Sequence, residues 1–432
     1  MLLANEGFVT DGRSAASSKG MPGLRIVSES VPCECTIEAD AEAGIVPVME
    51  QIIDGLVQPL TAEEQSPTSK ERVNPSRIIF KGDFAETNRF FYKSGWGDGL
   101  PLVPPTEEAV QEMLTGTDLR PDHIVGTVQP RLGKATVEKI AVNAVMAGAL
   151  PTHMPVLIAG VEHLLDPLTR FGTFSMSTGS WSPFWVVNGP IRNDIHVNSS
   201  SGSMSPGNIA NAAIGRAMGL IIKNLGGIRK GVEDMGVIGN PGKYSMVLGE
   251  NEERSPWVPL HVDEGFDKDD SALSLIFPNC FTQTWPYTSD DKGILRSIIY
   301  NIKPVGGLCC FVIPPAHANT LAQKGWTKEM VRQYIVEFAR SPAYRHHSFY
   351  DTNNALVRPG NAPLSAMDTV AAITDPNYAR IVVAGGPGTF MGLVFSAAFP
   401  GARWVTKKIA VPANWKKLVS KYRSLVPTYE RY

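Results

Sequence analysis

The chain has 432 residues, 43% of them apolar and only 19% charged, with 40 basic against 42 acidic side chains and a formal net charge of −2. At roughly 100–200 residues per domain, this length allows two or three domains and a sizeable buried core. The near-even charge excludes a polybasic nucleic-acid binder and an acidic tail protein, and 40 Gly with 33 Pro exclude coiled coils and predict many turns.

Residues 1–30 are rich in Gly, Ser and Ala without hydrophobic periodicity and are expected to form a flexible lead-in. Glu6 and Asp11 speak against a transit peptide, and no apolar block marks a signal peptide. From Gly44 to Leu60, the residues Ile45, Val48, Met49, Ile52, Ile53 and Leu56 recur at helical spacing. Polar residues 61–76 read as a linker. They separate a remnant N-terminal module, 31–60, from a main α/β body spanning 77–432, with a subdomain split expected near 265–300.

In that body the pattern predicts a helix over Phe84–Lys93, a second capped by Thr106, a third capped by Thr136 and a fourth from Asn208 to Gly226-Gly227. Strands are predicted at Phe184–Asn188, Leu273–Phe277, Gly307–Ile313, Ile381–Ala384 and Trp404–Val411. Strands interleaved with helices give an α/β class, with mixed α+β as the variant. No internal repeat of fixed period is visible. The most apolar stretch, Ile140–Gly160, is interrupted by Asn143, Pro151, His153 and Pro155, so no membrane span is expected.

Several segments carry residue types suited to chemistry. Gly95-Trp96-Gly97-Asp98-Gly99-Leu100-Pro101 displays a carboxylate on a stiff loop. Asn143 shares a helix face with Lys139, and His153 lies between prolines as a candidate acid or base. The strand ending at Asn188 leads to a Ser/Gly loop containing Ser205, where free helix-start amides and Arg216 would seat an anion. Lys243 follows in Gly239-Asn240-Pro241-Gly242-Lys243-Tyr244. Glu250, His261 and Asp263 are types a divalent metal accepts, but no His-x-x-x-His or Cys-x-x-Cys spacing supports a metal, and a general acid–base pair of His261 with a neighbouring carboxylate is at least as plausible.

Other features are weaker. Gly385-Gly386-Pro387-Gly388 after a strand resembles a dinucleotide loop, but too few residues follow for a complete Rossmann unit. Cys309-Cys310 reads as buried packing, and Arg345-His346-His347 is an isolated basic cluster. Cys33 and Cys35 lie one residue apart, a spacing at which a disulfide is strained.

Taken in order, Gly97-Asp98-Gly99-Leu100-Pro101 through Pro105-Thr106, Thr136 to Gly148, Asn188-Gly189-Pro190, Ile214-Gly215-Arg216-Ala217, Gly239 to Tyr244, Glu250-Asn251 and Ser255-Pro256-Trp257 resemble the UGSC family over about residues 80–430. That family takes its name from a selenocysteine-Gly-Ser-Cys motif. The resemblance implies an α/β chain with a thiol or selenol centre in the N-terminal module. The nearest match here, Cys33-Glu34-Cys35-Thr36, has no Gly-Ser before the cysteine and a compressed spacing.

The resulting expectation is a soluble, cytoplasmic enzyme acting on a small anionic molecule as a lyase or hydratase. Asp98, His261 and Glu250 would be catalytic, and Asn143, Asn188, Ser205, Arg216 and Lys243 would bind substrate. The alternatives are a thiol-dependent oxidoreductase using Cys33 and Cys35, and a non-catalytic binding subunit. No cofactor or metal is indicated by the residues, nucleic acid and membrane are not expected partners, and a homo-oligomer is compatible with the composition.

Overall fold

A computed structural model describes the chain except residues 34, 36, 67–75, 287, 303–307, 343–367, 390, 398–402 and 428–432. Its strands, in chain order, are β1 Leu2–Asn5, β2 Ile26–Glu29, β3 Ile124–Val128, β4 Gly133–Thr136, β5 Phe184–Asn188, β6 Val247–Gly249, β7 Ala272–Ile276, β8 Cys280–Thr284, β9 Leu308–Ile313, β10 Arg340–Pro342, β11 Thr369–Ala371, β12 Ala379–Val383, β13 Gly392–Ala397 and β14 Val405–Lys408. Helices alternate with them, so the class is mixed α/β.

Two four-stranded sheets form the body. The first has the order β14-β7-β5-β6 and the second β12-β9-β13-β8. Each has one parallel pair, β5/β6 and β9/β12, and two antiparallel pairs. The halves therefore repeat in topology: β5, β6 and β7 correspond to β9, β12 and β13. The fourth strand of each half crosses to the other sheet, β8 pairing with β13 and β14 with β7. No sequence period accompanies this repeat, because loop and helix lengths differ between the halves. The chain passes from the first sheet to the second at 277–279.

Alternation along the strands sets the layers. On β9, Leu308, Cys310 and Val312 join the central core, while Cys309, Phe311 and Ile313 join a second core under helices Asp291–Tyr300, Pro315–Gln323 and Lys328–Phe338. In the centre the rings of Phe184 on β5 and Phe395 on β13 stack with centroids 4.1 Å apart. The other face of β5 turns Trp185 edge-on to His163 of helix Met154–Leu165. The two sheets thus face each other with helices outside. Cys309 and Cys310 are both buried, as their setting predicted.

The four helices predicted in the body are present. Thr106 and Thr136 cap theirs by accepting from the amides of Ala109 and Lys139, and Asn208 accepts from Asn211. Helix Ile209–Gly226 ends at Gly227. The apolar stretch Ile140–Gly160 is split between helices Val137–Met146 and Met154–Leu165, and among the described residues no helix is long and apolar enough to cross a membrane.

The first thirty residues depart from expectation. They fold as a β-α-β unit: β1 and β2 pair in parallel around helix Val9–Ser18. Ser14 Oγ of that helix donates to Glu233 Oε1 at 2.5 Å, and Glu233 also pairs with Arg229. Sparse periodicity concealed the unit because its helix buries only Gly12 and Ala16, residues that scarcely register as apolar. In the segment read as a linker, Ala62–Gln65 forms a helical turn with a Thr61/Glu64 capping box, and Glu64 is forked by Arg25 at 2.6 and 2.8 Å. Helix Met49–Val57 forms where periodicity placed it, yet none of its residues is buried.

Candidate functional site

A cavity of about 500 Å³ opens at the amino-terminal end of β5. It is walled by Phe171, Trp181, Phe277, Leu220, Ile222 and Ile228, and its charged groups are Asp98, Arg216, Lys223, Lys230, Asp234 and Lys243. Helix Ile209–Gly226 supplies one wall. Its small-residue stripe admits the opposite wall, since a Cβ on Gly219 would lie 2.8 Å from the Lys243 carbonyl and one on Gly215 would strike Ser245. Tyr244 and the Gly239-Asn240-Pro241 turn complete the rim.

Asp98 and Arg216, both expected in the site, meet there. Arg216 Nε donates to Asp98 Oδ2 at 2.8 Å, and Nη2 donates to Oδ1 at 3.1 Å and to the Pro101 carbonyl at 2.8 Å. Burial opposes ionisation of Asp98, but the Arg216 fork and the Leu100 amide outweigh it and hold the carboxyl below its ordinary value. Lys243 also lines the cavity, with Nζ 2.7 Å from each oxygen of Asp234. Lys230 has no ion-pair partner among the described residues. Four cations against two carboxylates leave the lining with a positive surplus.

Lys223 escaped the sequence reading. It follows an apolar run near the end of a helix, where a lysine ordinarily serves only the helix dipole. Here its Nζ donates to the Gly97 carbonyl at 2.5 Å, next to Asp98. Burial pulls its pKa below the ordinary lysine value; Asp98 opposes that pull and Lys230 adds to it. The signal available in the sequence was the spacing Arg216/Gly219/Lys223, which puts both cations on the face carrying the small-residue stripe.

The remaining expected site residues lie elsewhere. Arg216 is turned away from the Ser/Gly loop, and Ser205 is exposed on it. The loop is clasped by buried Asn211, whose Nδ2 donates to the carbonyls of Asn198, Ser203 and Val247 and whose Oδ1 accepts from the Asn198 amide. The Asn208 cap already uses the helix-start amide. Asn143 is buried on its helix, donating to the Lys139 carbonyl and accepting from Asn224 Nδ2 at 2.7 Å. His153 is 1% exposed; burial lowers its pKa to about 3, and its Nδ1 accepts from the Leu150 amide, so it is a neutral corner residue.

Asn188 and Glu250 come together, but in a buried junction at the carboxyl-terminal ends of β5 and β6, and His261 follows Leu260, whose amide Glu250 accepts from. Glu250 is wholly buried. Its Oε2 accepts from Asn188 Nδ2 at 2.6 Å and the Leu260 amide at 2.7 Å, and its Oε1 accepts from the Val383 amide at 3.4 Å. Burial pushes the Glu250 carboxyl above its usual range, against Lys328 and these donors. Glu252 accepts from Asn188, the Gly189 amide and Arg192. Gly189 is required in this turn: its φ is +80° and a Cβ would collide with the Asp270 carbonyl. His261 is buried, its Nε2 3.3 Å from the Lys268 carbonyl. Asp263 pairs with Lys328 and Arg332.

The Gly385 loop leads from β12 into β13 and not into a helix, so it does not open the βα unit of a dinucleotide fold. Cys33 and Cys35 are free and do not line the cavity. Arg345-His346-His347 lies outside the described residues. Among the described residues no group of three or more His, Cys, Asp or Glu side chains is arranged to hold a metal ion.

Compared with protein-family models, with curated proteins and with solved structures, the chain finds no match in any of the three.

Proposed function

We propose that the chain is a cytoplasmic enzyme that acts on a small organic anion by acid–base chemistry of the lyase or hydratase type, in the cavity beside Asp98. The observation that carries this reading is the half-buried Lys223 amine held next to Asp98 in an apolar-walled, positively biased cavity. Lys230, which has no ion-pair partner among the described residues, receives the substrate carboxylate, and the rings of Phe171, Trp181 and Phe277 take its apolar part. Lys223 and Asp98 move the proton. Arg216 orients Asp98 and keeps it ionised. His261 and Glu250 have no part in this reading, because both are buried and neither lines the cavity.

The resemblance to the UGSC family is carried by the same body, and under this reading the body supplies the chemistry without the Cys33 and Cys35 thiols. Self-association is compatible with it. The test is exchange of carbon-bound hydrogen in heavy water, followed by nuclear magnetic resonance on a panel of small carboxylates. Catalysed exchange at the carbon next to the carboxylate is expected for at least one member, with loss of about 100-fold or more in Lys223→Met and Asp98→Asn. Exchange that persists in both variants would sink the reading.

A further inference from the structure

We propose that Lys223 acts as a covalent catalyst, its amine forming an imine with the carbonyl carbon of a small 2-oxo carboxylate bound in the cavity. The inference rests on the reading of the cavity as the substrate site and adds the substrate class and the bond formed.

An imine-forming lysine must be neutral, accessible and free of a carboxylate that would hold its proton. Lys223 lines the open cavity together with Ile222 and Ile228, forms no ion pair among the described residues, and is shifted by its burial toward the neutral amine although Asp98 opposes that shift. Its one side-chain hydrogen bond among the described residues goes to a backbone carbonyl, that of Gly97. The nearby carboxylate, Asp98, is gripped by Arg216 through both oxygens. A second cation, Lys230, lines the same cavity, and a neighbouring positive charge favours a neutral amine. Burial acts in the same direction. Lys243 is unsuited to the role because Asp234 holds its ammonium from both oxygens. Lys230 is exposed and is assigned to the carboxylate of the ligand.

The chemistry balances without a further reagent. The Lys223 nitrogen lone pair attacks the carbonyl carbon, and a proton passes from nitrogen to oxygen to give a carbinolamine. Protonation of that hydroxyl releases water and leaves the carbon–nitrogen double bond. The protonated imine then accepts the electron pair left when a proton or a leaving group departs from the neighbouring carbon. Hydrolysis returns the amine. A 2-oxo carboxylate supplies both features the lining asks for, a carbonyl for Lys223 and an adjacent anion for Lys230.

The experiment is reductive trapping on the full chain. Pyruvate and benzoylformate are each incubated with the protein and sodium borohydride, and the adduct is located by intact mass and peptide mapping. The expected result is a single adduct on Lys223, with labelling about tenfold above the mean of the exposed lysines. Label should vanish in Lys223→Arg and survive in Lys230→Arg at reduced yield. Label spread over surface lysines, or unchanged in Lys223→Arg, would overturn the proposal. Calorimetric titration with benzoate, which has no ketone, separates the two readings. Benzoate binding that Lys230→Gln weakens, with no adduct on Lys223, refutes the imine and leaves the anion site standing. Absence of both benzoate binding and adduct removes both.

Discussion

The two ends of the first sheet hold the same kinds of side chain and use them in opposite ways. At the amino-terminal end of β5, Asp98, Arg216 and Lys223 border an open cavity. At the carboxyl-terminal end, Asn188, Glu250, Glu252 and Arg192 fill a buried junction where the two halves meet. There the Asn251 amide donates to the Val383 carbonyl at 2.7 Å and the Gly385 amide to the Ser199 carbonyl at 2.9 Å, so the strand ends of β6 and β12 close on each other. Ligands of open α/β sheets ordinarily bind at the carboxyl ends of strands. In this chain that position is occupied by the second half of the molecule, and the cavity lies at the other end. Polar residue types alone therefore do not mark a site; what matters is whether they border open space.

The largest effect that would sharpen this contrast is at Glu250. Replacing it with Ala strips partners from Asn188 Nδ2 and the Leu260 amide in a fully buried place, and a loss of about 3–5 kcal/mol is expected in urea unfolding. Glu250→Gln keeps an acceptor and should unfold much closer to wild type. It also has a pH signature. A carboxyl whose pKa is raised by folding costs the native state nothing while protonated in both states, then weakens it as pH rises above the unfolded value of 4.5. Wild type should therefore lose stability from pH 4.5 upward, a decline absent from Glu250→Gln. A flat wild-type profile would show that the junction is wetter than its geometry implies.

At the cavity the expected stability effects are smaller and the sign is reversed. Asp98→Asn leaves Arg216 a weaker acceptor and should cost about 1 kcal/mol near neutral pH. Because folding lowers the Asp98 pKa, that contribution is present above the unfolded value of 3.8 and fades as pH falls below it. Thermal unfolding of both proteins over pH 3–7 measures the difference. A penalty as large as that of Glu250→Ala would erase the distinction between a built junction and an adaptable site.

Much of this architecture was legible in the chain. Thr106, Thr136 and Asn208 announced their helices because capping is a local hydrogen bond between near neighbours. The central strand Phe184–Asn188 was readable because a strand buried on both faces is continuously apolar. β6 is only three residues long, and the hairpin β3/β4 is interrupted by Gly126 and Gly133, which break its alternation. The site was legible in part. Asp98 and Arg216 stood out by loop stiffness and charge, yet their pairing joins residues 118 positions apart, a contact no local pattern encodes. Asn188, Glu250 and His261 drew attention as polar groups beside apolar segments, which is equally the signature of a hydrogen-bonded core. Lys223 was missed because its depressed pKa comes from surroundings assembled only by the fold.

The smallest effect is predicted at the N-terminal thiols, and it decides between chemistries. Cys33 is exposed, Cys35 makes a local contact with Ile37 at 3.4 Å, and neither borders the cavity. Replacing both with Ser removes no buried volume, so stability should stay within about 0.5 kcal/mol of wild type. Acid–base turnover in the cavity needs no thiol, so the hydrogen-exchange rate should also be unchanged, whether the protein is held reduced or oxidised. A large loss of turnover with stability intact would move the chemistry to the N-terminal unit and favour the thiol-dependent reading. Unchanged turnover leaves the cavity end of the first sheet as the place where the chain acts.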